Sequence, residues 1–176
     1  MRPIRLTVLA VAMAAFINAQ DVQYNFDQQT DFSRFQTYRW IEDSGSRQID
    51  ELLAKDIQQA LDSALAKKGL NRVEGDTAGL YLRYQVAVNR EKELTASGWG
   101  YGPGWRRGPG IGTASTTTIL VGSLALDMYD VANRQLVWRG VVTRTVDPNA
   151  RPEARRKNLT KAFEKLLKNY PPGKSS

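Results

Sequence analysis

The chain has 176 residues, is 41% hydrophobic and 24% charged, and carries a formal net charge of +7. It contains neither cysteine nor histidine, which excludes disulfides, thiol chemistry, the usual zinc sites and any Ser-His or Cys-His nucleophile pair. We therefore predict one domain with a sizeable core, which is not an enzyme and uses no metal and no cofactor.

The start of the chain has the order of a secretory signal. Arg2 and Arg5 precede an apolar run over residues 6–17, and the sequence Ile-Asn-Ala ends at Ala19. This order predicts a signal peptide over residues 1–19. The alternative is an uncleaved membrane anchor, for which the apolar run is short. Because no cysteine is present to accept a lipid, we expect an exported periplasmic protein, soluble or peripherally associated with the envelope and not lipid-anchored.

The first half of the mature chain predicts two strands and one helix. Residues 22–26 alternate between apolar and polar side chains, which is the period of a strand with one buried face, and residues 35–40 form a second short strand. From residue 49 to residue 65 the apolar side chains recur at the spacing of an amphipathic helix. Ser46 is the expected N-cap of this helix, and Gly69 is its expected C-terminal stop.

We predict a third strand over residues 80–88, where the apolar side chains share one parity. Residues 96–112 hold half of the chain's 14 glycines and show no periodicity, which indicates a long mobile loop. Its aromatic and arginine side chains are of the types that concentrate binding energy. Contact with a membrane surface and a disordered loop with incidental aromatics are the alternatives. The predicted partner-binding residues are Trp99, Tyr101, Trp105, Arg106 and Arg107.

Residues 118–146 predict a β-hairpin whose strands each have an apolar face. If Met128 lies opposite Trp138, then Asp127 lies opposite Arg139 on the other face. An exposed cross-strand ion pair of this kind contributes about 0.2–1 kcal/mol. The two aspartates of the hairpin are expected to point to opposite faces, which argues against a shared proton or metal; the second is a turn residue. The predicted structural residues are Asp127, Asp130, Trp138 and Arg139.

A second amphipathic helix is predicted near the C-terminus, with Pro152 in its first turn and prolines 171 and 172 after its end. Residues 148–176 carry 8 basic and 2 acidic side chains, so the basic excess belongs to this region. The basic face predicts weak contact with an anionic membrane surface, and a solvated face without a ligand is the alternative. Nucleic acid is not an expected partner of an exported chain.

These elements follow one another in the order β-β-α-β-β-β-α. We expect a single α+β domain over residues 20–172 that contains the glycine and aromatic loop at 96–112, and a disordered tail at 173–176. Amphipathic helices and strands with one apolar face are most simply arranged as a two-layer sandwich. The expected fold is a mainly antiparallel five-stranded sheet with both helices on one face.

The chain resembles a bacterial family of exported envelope proteins, the domain of unknown function 4136. The motifs that carry the resemblance span residues 21–172 and keep a common order. They are DFSRFQTYRW, the helix end KKGL, the glycine and aromatic loop, GSLALDMYD with LVWRG, and a closing helix that ends in YPP. The resemblance implies an envelope domain with no established activity. Many members look like lipoproteins, and this chain departs from them by lacking the lipid-accepting cysteine.

From these features we expect a non-enzymatic periplasmic or envelope-associated binding or adaptor domain, whose partner is an unknown envelope protein or polymer. The loop at 96–112 is the expected contact surface. The alternative is a structural envelope protein of the stress type, which associates with itself through a sheet edge or through the basic helix. The mass of the protein in solution distinguishes the two, since self-association predicts a stable oligomer without any added partner.

Overall fold

The computed structural model describes residues 21–41, 49–75, 77–97 and 113–172. The predicted signal peptide and the predicted tail therefore lie outside the described residues. The described chain is α+β, with one six-stranded sheet and two α-helices. The elements are β1 (Asp21–Phe26), a 3-10 helix (Phe32–Arg34), β2 (Thr37–Trp40), α1 (Glu51–Ala66), β3 (Asn71–Arg72), β4 (Leu80–Ser97), β5 (Thr113–Asp130), β6 (Gln135–Val146) and α2 (Pro152–Leu166).

The sheet is mixed, and its strand order is β1-β6-β5-β4-β2-β3. Neighbours from β1 to β4 are antiparallel, whereas β4, β2 and β3 are parallel. The prediction of five mainly antiparallel strands is therefore wrong in its details. It missed β3, which has only two residues and too little length to show an alternation. This strand forms because Gly69, at a φ of 81°, turns the chain after α1 and the N–H of Asn71 then donates to Gln36 O at 2.8 Å.

The first helix begins later than the sequence predicts. Asp50 is its N-cap, and the Asp50 carboxylate accepts from the N–H groups of Leu52 and Leu53, which satisfies two of the donors left open at a helix start. Because Asp50 caps the helix, the expectation that Ser46 is the N-cap is wrong. Ser46 itself lies outside the described residues. At the other end the N–H of Leu70 donates to Leu65 O at 3.1 Å, and Leu70 is buried.

Both helices pack on one face of the sheet and share one hydrophobic core with it. Gly140 in β6 allows the close contact with α2, since a Cβ there would lie 2.3 Å from Trp138 Cη2 and 2.8 Å from Leu166 Cδ1. The largest fully buried side chains come from both layers. They are Trp138, Tyr38, Phe163, Leu61, Leu65, Leu70, Leu80, Leu82, Leu126, Met128, Leu166 and Leu167.

The two longest strands, β4 and β5, have 18 residues each. The third strand predicted at 80–88 is therefore too short, and the hairpin begins earlier than the predicted residue 118. They pair from Leu80 with Asp130 to Ser97 with Thr113. The sequence hides the second half of β4 because Asn89, Arg90, Glu91 and Lys92 are polar and exposed on both faces, and such a strand shows no apolar alternation.

Candidate functional site

Strands β4 and β5 extend beyond the rest of the sheet as a two-stranded arm. The last pair between β5 and β6 is Leu120 with Val146, and β2 pairs with β4 only as far as Leu82. Among the residues that the structure describes, 91–97 and 113–119 therefore pair only with each other, and we call them the arm. At the usual rise per residue the arm projects by about 23 Å. The far end of the arm, at Ser97 and Thr113, adjoins the two ends of the segment 98–112.

The predicted partner-binding residues all belong to the segment 98–112. Trp99, Tyr101, Trp105, Arg106 and Arg107 lie outside the described residues. The residues on either side of this segment, Ser97 and Thr113, are described and pair with each other at the far end of the arm. The described strands also shorten the predicted loop, because residues 96 and 97 belong to β4.

The predicted hairpin residues are all described, and the register of the hairpin agrees with the sequence pattern. Met128 pairs with Trp138, and Asp127 pairs with Arg139. Arg139 donates from Nε to Asp127 Oδ1 at 2.6 Å and from Nη2 to Oδ2 at 2.8 Å, a bidentate geometry. This hydrogen bonding raises the pKa of the Arg139 guanidinium. The pair is not a simple exposed one, because the Asp127 side chain is only 2% exposed while that of Arg139 is 50% exposed.

Asp130 connects the β5–β6 turn to the 3-10 helix. Its carboxylate forms an ion pair with Arg34 and accepts from Asn133 Nδ2 at 2.7 Å and from the N–H of Ala132 at 3.0 Å. The side chain is buried. Asp130 therefore stabilises the turn, as the sequence predicts, and in addition holds a segment that lies 96 residues earlier in the chain.

The sheet face opposite the helices carries a group of arginine and tyrosine side chains around Asp127. The strand pairing places Arg83, Asp127 and Arg139 in one row and Arg39, Tyr81 and Tyr129 in the next. No described helix packs on this face. We call the group the Arg/Tyr face. It consists of Arg39, Tyr81, Arg83, Asp127, Tyr129 and Arg139.

A second carboxylate, Asp62 in α1, collects donors from β2 and β3. Tyr38 Oη donates to Asp62 Oδ1 at 2.6 Å, and Trp40 Nε1 donates to the same oxygen at 2.8 Å. Arg72 Nη1 donates to Oδ2 at 3.3 Å. Burial and the hydrogen bond to Asp62 raise the pKa of the Tyr38 hydroxyl. The Trp40 ring packs edge-to-face on Tyr38 and Tyr84, with centroid distances of 5.9 and 5.6 Å.

The two helices are joined by an ion pair that uses part of the basic face of α2. Asp56 in α1 accepts from Arg156 Nε at 2.8 Å and from Arg155 Nη2 at 3.3 Å. The hydrogen bond from Arg156 lowers the pKa of the Asp56 carboxyl, and the partial burial of the group opposes this shift. Lys67 and Glu164 form a further pair between the helices. The basic side chains of α2 are therefore not all directed to solvent.

Among the described residues, no group of three or more Asp and Glu side chains is placed to hold a metal ion. In the same part of the chain, neither helix has the length and apolar character needed to cross a bilayer.

A model of a known protein family matches most of the chain. The family model described as "Domain of unknown function (DUF4136)" matches residues 22–172. The chain belongs to this family. The match confirms the resemblance seen in the sequence and covers both helices, the whole described sheet except Asp21, and the segment 98–112. No curated protein matches the chain.

Solved structures share the fold at low identity. A PDZ domain protein from Parabacteroides distasonis superposes with a TM-score of 0.54 at 15% identity, over 89% of this chain and 37% of that chain. The DUF4136 chain thus spans little more than a third of that protein. A PelC dodecamer from Paraburkholderia phytofirmans superposes with a TM-score of 0.51 at 15% identity, over 85% of this chain and 95% of that chain. These likenesses show the fold alone.

Sequence reasoning missed the contacts of Asp56 and Asp62. For Asp56 a signal exists, because a charged residue interrupts the apolar stripe of α1 three residues after Leu53 and four before Ala60, and a buried charge requires a partner. For Asp62 the sequence holds no comparable signal. Its partners Tyr38 and Trp40 lie 24 and 22 residues away in another element.

Proposed function

We propose that this DUF4136 chain is a non-enzymatic binding or adaptor domain of the periplasm or cell envelope. It presents the segment 98–112 to an envelope protein or polymer at the end of the β4–β5 arm. The observation that carries the proposal is the arm itself. A two-stranded ribbon that leaves the sheet adds nothing to the core, and isolated two-stranded hairpins are marginally stable, so a role outside the core explains its length.

The composition of the segment supports a binding role. Trp99, Tyr101 and Trp105 stand beside Arg106 and Arg107, and Trp, Tyr and Arg are enriched where interfaces concentrate their energy. The family covers this segment together with the folded elements.

The state of the buried and half-buried carboxylates supports a non-enzymatic role. A general base must be able to reach a proton of a bound substrate, whereas each of these groups already accepts from an arginine donor of another element. This holds for Asp56, Asp62, Asp127 and Asp130.

The test replaces Trp99, Tyr101 and Trp105 together by Ser and uses the protein as bait in native envelope extracts. We expect the proteins or polymers captured by the wild type to be lost, with no change in the thermal unfolding midpoint. The matched control is Tyr24→Ser, which removes an exposed aromatic side chain from β1 and should leave capture unchanged. Equal capture by wild type and triple variant contradicts the proposal.

The proposed location is tested by cell fractionation and intact mass. We expect a soluble or peripherally bound periplasmic species whose mass begins at Gln20. A full-length species in the membrane fraction would instead make residues 1–19 an anchor and place the arm at a membrane surface.

Self-association is a second candidate function, and the edges of the sheet favour it. Among the described residues, β1 has no strand on its outer side, and β4 has none beyond Leu82. Unpaired edges are templates for pairing with another chain. A PelC protein with the same fold forms a dodecamer. Light scattering coupled to gel filtration tests this candidate, and a stable monomer at high concentration contradicts it.

The basic face of α2 is proposed to contact anionic membrane surfaces weakly. Lys157, Lys161 and Lys168 are exposed, and each basic group near an anionic surface contributes about 1 kcal/mol. We expect co-sedimentation with phosphatidylglycerol vesicles at low salt and release at high salt. Absence of binding to these vesicles at low salt would contradict the proposed membrane contact.

A further inference from the structure

The strand β6 ends before the arm begins, and it ends for a local reason. Asp147 starts a turn directly after β6: its carboxylate accepts from the N–H of Asn149 at 2.9 Å, and its carbonyl accepts from the N–H of Ala150 at 3.2 Å. Pro148 has no N–H with which to continue a ladder. Among the described residues, the edge of β5 that faces away from β4 therefore has no strand beside it over residues 113–119. We call it the β5 edge.

The arm has a second edge, on β4, and the two edges differ in charge. The β4 edge carries Arg90, Glu91 and Lys92 at the base of the arm, all with exposed side chains, and charged side chains commonly protect a strand edge from pairing. The β5 edge reads Thr-Ala-Ser-Thr-Thr-Thr-Ile, without charge, proline or glycine. Five of these seven residues are β-branched, a class that favours strands. The β5 edge is therefore the one suited to a further strand.

Two-fold symmetry decides which edge can pair with its own copy. An antiparallel pair of identical strands places each residue opposite itself or opposite one at an even distance in sequence, because opposed side chains share a face. Centred on Glu91, the β4 edge would set that carboxylate against its copy and Arg90 against Lys92, and opposed like charges are destabilising. Centred on Thr116, the β5 edge opposes only uncharged residues.

We propose that the β5 edge pairs with the same edge of a second copy of this chain, antiparallel and centred on Thr116. Residue 113 then lies opposite residue 119 of the second copy, so the pairing uses the full length of the edge. The two arms become one ribbon in the order β4-β5-β5-β4. Three or more strands are more stable than an isolated pair, which gives the arm a structural reason for its length. The inference rests on the self-association candidate above and does not depend on binding by the segment 98–112.

The register is tested by disulfide formation in a chain that has no cysteine of its own. Thr116→Cys places one thiol opposite its copy at a Cα separation of about 4.5–5.5 Å, within the range of a disulfide. Thr118→Cys is the matched control, because its two Cα atoms would be about 14 Å apart along the ribbon. Under mild oxidation we expect a covalent dimer for Thr116→Cys and at least about tenfold less for Thr118→Cys. Equal yields for the two variants overturn the proposal.

A second measurement identifies the edge through charge. In the proposed pairing residue 115 lies opposite residue 117 of the second copy. Ser115→Lys with Thr117→Lys therefore opposes like charges, and Ser115→Lys with Thr117→Glu opposes unlike charges. By light scattering coupled to gel filtration, we expect the first pair to raise the dissociation constant of the dimer about tenfold and the second pair to restore it. A dimer that responds equally to both pairs overturns the proposal.

The matched control is Gln23→Lys with Asn25→Lys, at the same spacing on the edge strand β1, where both side chains are exposed, and it should leave the dimer intact. Weakening by this pair alone would assign self-association to β1 and overturn the proposal. A wild type that stays monomeric contradicts both the proposal and the self-association candidate. The variant with Trp99, Tyr101 and Trp105 replaced by Ser should still dimerise, so a failure of partner capture is distinguishable from a failure of this pairing. Circular dichroism melts verify that each variant is folded.

Discussion

Asp127 and Arg139 form a bidentate ion pair across β5 and β6 in which one partner is buried and the other is half exposed. The asymmetry has an energetic consequence. A guanidinium that loses its partner here can still be hydrated, whereas the carboxylate would remain buried without its main donor, and an unpaired buried charge is strongly destabilising.

Removing the arginine should therefore cost more than removing the carboxylate charge. We expect Arg139→Met to lower the free energy of unfolding by about 2–4 kcal/mol, and Asp127→Asn to lower it by about 1–2 kcal/mol. Urea denaturation of both variants at neutral pH measures the difference. A larger loss for Asp127→Asn would show that Asp127 is better compensated by its other neighbours than the geometry indicates.

Asp62 should stabilise the contact between α1 and β2 mainly through one oxygen. Tyr38 and Trp40 both donate to Oδ1, and Tyr38 is buried. Asp62→Ala leaves both donors without this acceptor and should cost about 1–3 kcal/mol. The control Asp62→Asn keeps an Oδ1 acceptor and loses only the pair with Arg72, which is worth about 0–1 kcal/mol. The Trp40 indole N–H resonance should shift in the alanine variant and much less in the asparagine variant.

Gly140 should not tolerate a side chain. A Cβ there would lie 2.3 Å from Trp138 Cη2, and both that ring and Leu166 are buried, so Gly140→Ala should cost about 1–3 kcal/mol through overpacking. The control is Gly122→Ala in β5. Its Cβ would lie 2.8 Å from Val146 Cγ2, the end of a side chain that is 37% exposed and can shift toward solvent. Thermal melts that rank the two variants in the opposite order would contradict this reading of the core.

The ion pair between the helices should make stability depend on pH in the acid range. Arg156 lowers the pKa of Asp56 in the folded state, below the ordinary value of about 3.9. A carboxyl group whose pKa is lowered by folding contributes its full stabilisation of the folded state when the pH is above the ordinary pKa. This stabilisation is lost as the pH falls through the pKa of the folded state. Asp56→Asn should thus be less stable than wild type near neutral pH. The difference in the free energy of unfolding between the two proteins, which we call the gap, should become smaller in more acidic solution.

Urea denaturation from about pH 7 to about pH 3 at constant ionic strength measures this gap. Glu51→Gln serves as the control, because Glu51 is an exposed carboxylate on the same helix and should show a gap that varies little. A gap for Asp56→Asn that stays constant over the whole range would mean that Arg156 does not act on the Asp56 carboxyl.

Local patterns were sufficient for the elements with one apolar face. The spacing of apolar residues predicted the position of α1, with an error only at its N-cap, Asp50. The alternation in β5 and β6 predicted that Asp127 lies opposite Arg139 if Met128 lies opposite Trp138, because a slip of one residue would expose the apolar set of one strand. Both pairs are found. The family resemblance was also visible from the sequence, and the match over residues 22–172 confirms it.

Other features depend on neighbours that are distant in the sequence. The arm escaped prediction because Glu91, Lys92 and Thr118 are polar and exposed and give no apolar alternation, and β3 escaped because it is too short. The burial of Asp127 was missed because Asp127 lies between β4 and β6 in the sheet, and the sequence does not place β4 beside β5.

The sequence by itself determined the two amphipathic helices, the β5–β6 hairpin and the lack of histidine and cysteine chemistry. The tertiary structure alone decided the mixed strand order, the projection of the arm, the edges without a further strand among the described residues, and the carboxylates that are buried. The physical reason is that periodicity within one element records which of its faces is apolar. Which elements lie side by side is decided by contacts such as Asp130 with Arg34, 96 residues apart, and no local pattern records those.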